Sequence, residues 1–338
     1  MSVHVATHSP AAAVSRREGM EQNLRPIVGG LTLLLLLLVL IVPALRDPKP
    51  HDIPVALVGP AAATALLEQR FASAAPGAFR FVGYASEEDA RRALDSREVS
   101  GALILRPNAP TLIVAGAAGG GVSGAINGAI GTALRAQGGN VSVETVHPFA
   151  SADPQGLILF FLILGLTASA IAAGAIAATR SIGSAAVVTV ASFAVLAGLV
   201  GPWTVEALGA GGYGDRIWLI AALAALGAGA VGLATLGTGR LLGPAGLGLA
   251  GLGLGPINLI ASGGPIGSSF LPDLYRAIAP WMPATQMSSA FRGAMFFDGA
   301  GVGEPIATLA VWAIAGIVVA VSAELVTRSP RRMEAASR

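Results

Sequence analysis

Six apolar runs, each close to the roughly 20 residues a helix needs to cross a bilayer, govern what this chain can become. They are Pro26 to Leu45, Gly156 to Thr179, Gly183 to Val205, Ile217 to Gly237, Leu241 to Ala261 and Pro305 to Val326. In hydrocarbon every backbone N–H and C=O must find its partner inside the protein, and within one segment only a helix provides that. Composition agrees. Of 338 residues 54% are hydrophobic and 12% charged, with a mean hydropathy of +0.70, against about 25% charged in a soluble domain. The expected fold class is therefore a polytopic α-helical membrane protein of six transmembrane helices. The first run follows Arg16, Arg17 and Arg25, as a secretory signal would. It is longer than the roughly 7–15 apolar residues of a signal core, and Pro43-Ala44-Leu45-Arg46 is a poor small-x-small cleavage site. It reads as an uncleaved signal-anchor, 26–45, after a cytoplasmic segment, 1–25.

Arginines set the orientation, because basic residues near spans stay cytoplasmic. If the six spans alternate, Arg16, Arg17, Arg25, Arg180, Arg240, Arg328, Arg331, Arg332 and Arg338 fall on one side. The opposite short loops carry Arg216, Arg276 and Arg292 against Glu206, Asp215, Asp273, Asp298 and Glu304. Both termini are then cytoplasmic, including the tail 328–338, and residues 46–153 lie outside. The net charge of +2 is spread over span flanks and gives no nucleic-acid footprint. The absence of cysteine removes disulfides, thiolate nucleophiles and cysteine metal sites. Lys49 is the sole lysine in a chain rich in Ala, Gly and Arg, a bias typical of high-GC bacterial genomes. The expected location is a bacterial plasma membrane.

Residues 46–153 are long enough for a small domain. Strand-like runs are IPVALVG, FRFVGYA, GALILR, TLIVAG and VSVETVHP; helix-like runs are AATALLEQRFASAA, SEEDARRAL and VSGAINGAIGTALRAQ. Ser86 with Asp89 three residues on is a capping box. Alternating strands and helices predict an extracytoplasmic α/β domain that folds by itself. Asp153-Pro154 supplies an N-cap and first-turn proline for the second span. Residues 154–327 form the five-helix membrane domain that follows.

Four stretches carry a resemblance: DIPVALVG after a single N-terminal span, YASEEDARRALDSREVSGALIL, TLIVAGAAGGGVSGAINGAIGTAL and HPFASADPQGLILFFLILG. Together with LPDLYRAIAPWMPATQMSSAFRGAMFF before the last span, they resemble the type-2 ABC-exporter permeases related to the phage infection protein (Pip/YhgE-like), over about residues 27 to 327. The resemblance implies a signal-anchor, an outer domain and five further spans. It implies a permease-like subunit, homodimeric or heterodimeric in membrane lipid, that exports a hydrophobic or amphipathic substrate. A separate ATP-binding subunit would dock near Arg180 and Arg240. The alternative is a non-transport envelope, secretion-accessory or receptor protein acting through its outer domain.

Chemistry of other kinds has no signature here. A Walker A lysine is missing, so no ATPase activity is expected of this chain. The His and Ser residues form no ligand or triad pattern, so no catalytic, cofactor or metal site is expected. GLGLAGLGLG, Gly246 to Gly255, lies in a span and reads as helix packing rather than as a dinucleotide loop. Glu324 stands four residues before Arg328, the spacing of an interfacial ion pair. The chemically richest part is the segment 263–304. Pro272, Pro280 and Pro283 break it into two short amphipathic helices, either an interfacial connector or an outer re-entrant hairpin lining the pathway exit. Pro272, Pro283, Arg292, Arg276 and Trp281 are its candidate working residues.

Overall fold

The computed structural model describes residues 10–106, 109–136, 141–209 and 212–336, with side chains from 27 to 326. It divides after Asp47 into two units. The first is α1, Pro10–Leu45, whose apolar part is Ile27–Leu45. The second begins at Pro48 and holds everything below.

Five strands and their helices follow α1 where the alternation of the sequence puts them: β1 Ile53–Val58, α2 Ala61–Ala74, β2 Phe79–Gly83, α3 Glu87–Asp95, β3 Gly101–Ile104, β4 Thr111–Ala115, and β5 Ser142–Val146. Between β4 and β5 runs one helical stretch, α4 Gly120–Ala125 and α5 Thr132–Ala136, joined by wide turns at Ile126–Gly131. The sheet order is β2-β1-β3-β4-β5, parallel except for the antiparallel β3–β4 pair. β3 and β4 are buried at every position, as expected of strands covered on both faces. One face packs Leu57, Leu103 and Val114 under α2 and α4–α5; the other packs Ala56, Ala102 and Ile113 under α3. Ser86 accepts from the Asp89 N–H at 3.1 Å, as the capping box requires. This α/β module is not closed on itself. Phe297, far along the chain, completes the α3-side core.

The Asp153 carboxylate caps the next helix, accepting from the N–H groups of Leu157 and Ile158 at 2.8 and 2.9 Å. That helix, α6, is Leu157–Arg180, so Pro154 precedes it rather than opening its first turn. Then come α7 Ser184–Ala207, α8 Ile217–Leu242, α9 Pro244–Leu252, α10 Asn258–Ala261, and, after two shorter helices, α13 Gly303–Ala336. Among the described residues six helices are long and apolar enough to cross a membrane, with α9 and α10 serving as one across a kink at Gly255-Pro256.

α8 is the hub: 72% of its apolar window is buried, against 22% in α7 and α13. Glycine explains how α6, α7 and α13 approach it so closely. A Cβ on Gly198 would stand 2.6 Å from the Ala221 carbonyl oxygen, and one on Gly237 2.7 Å from that of Gly316. Gly174 faces the Gly232 carbonyl in the same way. In the GLGLAGLGLG run only part of the packing expectation holds. Gly246 presses on the Thr238 carbonyl, but Gly248, Gly251 and Gly253 face open space.

Candidate functional site

The segment before α13 forms α11, Asp273–Ile278, and α12, Pro283–Phe296. The prolines break it where the sequence says. α12 then goes somewhere its modest amphipathicity does not announce: into the bundle. Pro283, Ala284, Gln286, Met287, Ala290, Phe291, Gly293 and Ala294 are buried, on α8 and α13 above all. Its depth follows from helix rise. Met287 fills the space that a Cβ on Gly227 would need, ten residues into α8. The Trp312 indole N–H, nine residues into α13, donates 2.7 Å to the Trp281 carbonyl. At 1.5 Å per residue the start of α12 thus lies about 14 Å below the module ends of α8 and α13.

A buried helix start leaves N–H groups without partners. Asn258, fully buried in α10, answers this. Its Oδ1 accepts from the Ala284 N–H at 2.8 Å, and its Nδ2 donates to the Leu254 carbonyl at 3.0 Å. Gln286 donates to the Pro280 carbonyl.

The other end of α12 rises to the module and is gripped there by three cationic or imidazole side chains. Arg216 donates to the Ala294 and Met295 carbonyls, both 3.0 Å, and pairs with Asp298. Arg97, at the end of α3, donates to the carbonyls of Ser289 and Ala300 at 3.0 and 3.2 Å and lies 5.4 Å from the Phe297 ring centre. His147, at the end of β5, stacks on Phe297, donates from Nδ1 to the Phe296 carbonyl at 2.7 Å, and sets Nε2 2.7 Å from Asp95. C-terminal carbonyls carry the negative end of the helix dipole, which suits these donors. Arg292 itself donates to the Ala118 carbonyl at 3.2 Å and buries an unpartnered Nε. Burial, with Arg97 beside it, pulls its guanidinium down to about 10.

The sequence candidates thus separate. Arg292 and Pro283 belong to α12 and its grip. Trp281 exposes its ring while its carbonyl fixes α13. Pro272 is exposed at the start of α11, and Arg276 pairs with Asp273. Arg180 is exposed at the end of α6. Arg240 is turned inward instead of outward to a docking subunit. Its side chain is 10% exposed, pairs with Glu324 at 3.1 Å and donates to the carbonyls of Ser181 and Gly183. It knits α8 to α13 and to the α6–α7 turn. Glu324 therefore has a partner on α8; the side chain of Arg328 lies outside the described residues. The sequence reading passed over Asn258 and Arg97. A lone Asn in an apolar span was the signal for the first; nothing local marked the second.

These features define a class: a multi-pass helical membrane protein with an α/β module locked onto a helix buried in its bundle. No protein-family model matches the chain, and comparison with curated proteins finds no match.

Proposed function

We propose that this chain is the permease-like membrane subunit of an ABC-type exporter in a bacterial plasma membrane, with a homodimeric or heterodimeric assembly and a separate ATP-binding subunit. One observation carries the reading. α12 joins the bundle core to the α/β module through Arg97, His147 and the bond from Arg292 to the Ala118 carbonyl. A bundle that rearranges must therefore move the module, and the reverse. Coupling of this kind serves a transporter with an outer domain that receives its substrate. The 263–304 segment is then a re-entrant hairpin at the outer exit of the pathway, both termini are cytoplasmic, and the substrate is hydrophobic or amphipathic.

The test uses the tagged full-length chain extracted gently from its native membrane. A polypeptide with a Walker A sequence should co-purify at fixed stoichiometry. Proteoliposomes holding both should move a fluorescent amphipath with ATP, while the chain alone hydrolyses none. Failure of the reconstituted pair to move any of a panel of amphipaths, with the ATPase active, would favour the receptor or secretion-accessory reading.

A further inference from the structure

The α/β module contains a groove that the grip on α12 does not use. It lies between α2 and the α4–α5 stretch, with a volume of about 270 Å³. Leu67, Phe71, Leu105 and Leu134 form its floor, with Ala133 in one wall. Packed domains keep few voids larger than a water molecule, and about 150 Å³ of apolar cavity suffices to hold benzene. The cause of the gap is visible in α2. Of its 14 residues only Leu67 and Phe71 are buried, so the helix stands on two side chains and leaves the space beside them unfilled. Leu66, on the same rim, is 50% exposed, an apolar group kept ready in water. The charged group in the lining is Arg70. Its guanidinium is exposed and forms no ion pair among the described residues.

An apolar slot with one free cation at its mouth selects a single hydrocarbon chain with a single anionic head. The chain replaces water on Leu67, Phe71 and Leu134, and the head accepts from Arg70. A neutral amphipath would gain only the first part, and a cationic one would be opposed at the mouth. A two-chain lipid exceeds the groove. We propose that this groove is a binding site for a single-chain anionic amphipath, such as a medium-chain carboxylate or alkyl phosphate. The site belongs to the module and stands or falls independently of the permease reading.

The experiment takes the full-length chain in nanodiscs of zwitterionic lipid. It uses three probes carrying a diazirine at the chain end: decanoate, decyl phosphate and decanol. Photolabelled residues are mapped by mass spectrometry. Labels from both anionic probes should fall on α2 and α5. The ratio of carboxylate to phosphate capture tells whether a free fatty acid or a phosphate-headed lipid product is the better source. Arg70→Glu should cut anionic capture by about tenfold or more, the scale of one charge-assisted hydrogen bond, and leave decanol capture unchanged. Ala133→Trp fills the groove and should abolish all three. Should that variant melt early, Leu66→Glu at the exposed rim must still lower anionic capture. Labels elsewhere, or anionic capture indifferent to Arg70→Glu and Leu66→Glu, would overturn the assignment.

Discussion

Single residues in this protein act mostly by what they leave satisfied. Asn258 is the clearest case, because the Ala284 N–H it accepts from lies at a buried helix start. Asn258→Leu keeps the volume and removes the acceptor. It should destabilise the chain by about 1–3 kcal/mol, the cost of an orphaned buried donor, read as a lower melting temperature in detergent. Glu144 behaves differently. Arg91 holds it by two bonds, 2.8 and 2.6 Å, which keep its carboxyl below the usual glutamate range. A depressed carboxylate stabilises above its unfolded pKa of about 4.3 and loses that contribution as pH falls through the lower folded value. The pair is exposed and screened, so Glu144→Gln should cost below about 1 kcal/mol at pH 7. The gap between variant and wild type in thermal melting should narrow as the pH is lowered below the unfolded value and Glu144 takes up its proton. A gap that is the same at every pH would mean that Glu144 acts through packing. Local readings of this type were legible in advance, as Ser86 and Asp153 show, since a cap needs only its neighbours. Arg97 was not, because its partners Ser289 and Ala300 lie 192 and 203 residues away.

Elements were legible in proportion to how far their own pattern decides them. The five strands and α2, α3, α11 and α12 stand where their runs and prolines placed them. What could not be read was α12's destination. A mild apolar face suits an interface as well as a core, and the deciding fact sits on another helix: Gly227 of α8 makes room for Met287. Gly227→Leu should therefore push α12 outward. The chain has no cysteine, so one placed at Ser288 gives a clean reporter. Maleimide labelling of Ser288→Cys should rise severalfold in the Gly227→Leu background. Unchanged labelling would mean that the bundle closes around leucine without moving α12. Glycine rows mislead in the same way, since spacing says nothing of which members meet a neighbour. Gly246→Val and Gly316→Val should lower the melting temperature sharply. Gly248→Val, facing open space, should leave it unaltered or raise it, because valine restricts the unfolded chain.

At the scale of the whole molecule, the module and the bundle share a boundary the sequence had separated. Residues 46–153 were expected to fold alone, yet Phe297 belongs to the core on the α3 face. Phe297→Ala should speed amide exchange in α3 and β5, with a destabilisation of about 3–5 kcal/mol if the pocket cannot collapse. Equal exchange in the two proteins would show that the module keeps its core without help. The depth of α12 has a further effect. It accompanies α8 for roughly its first 15 Å and is missing from the rest. Within the second unit, a load placed on the module is therefore carried along α12 to the near half of α8 and no further, so that α12 acts as a strut between them.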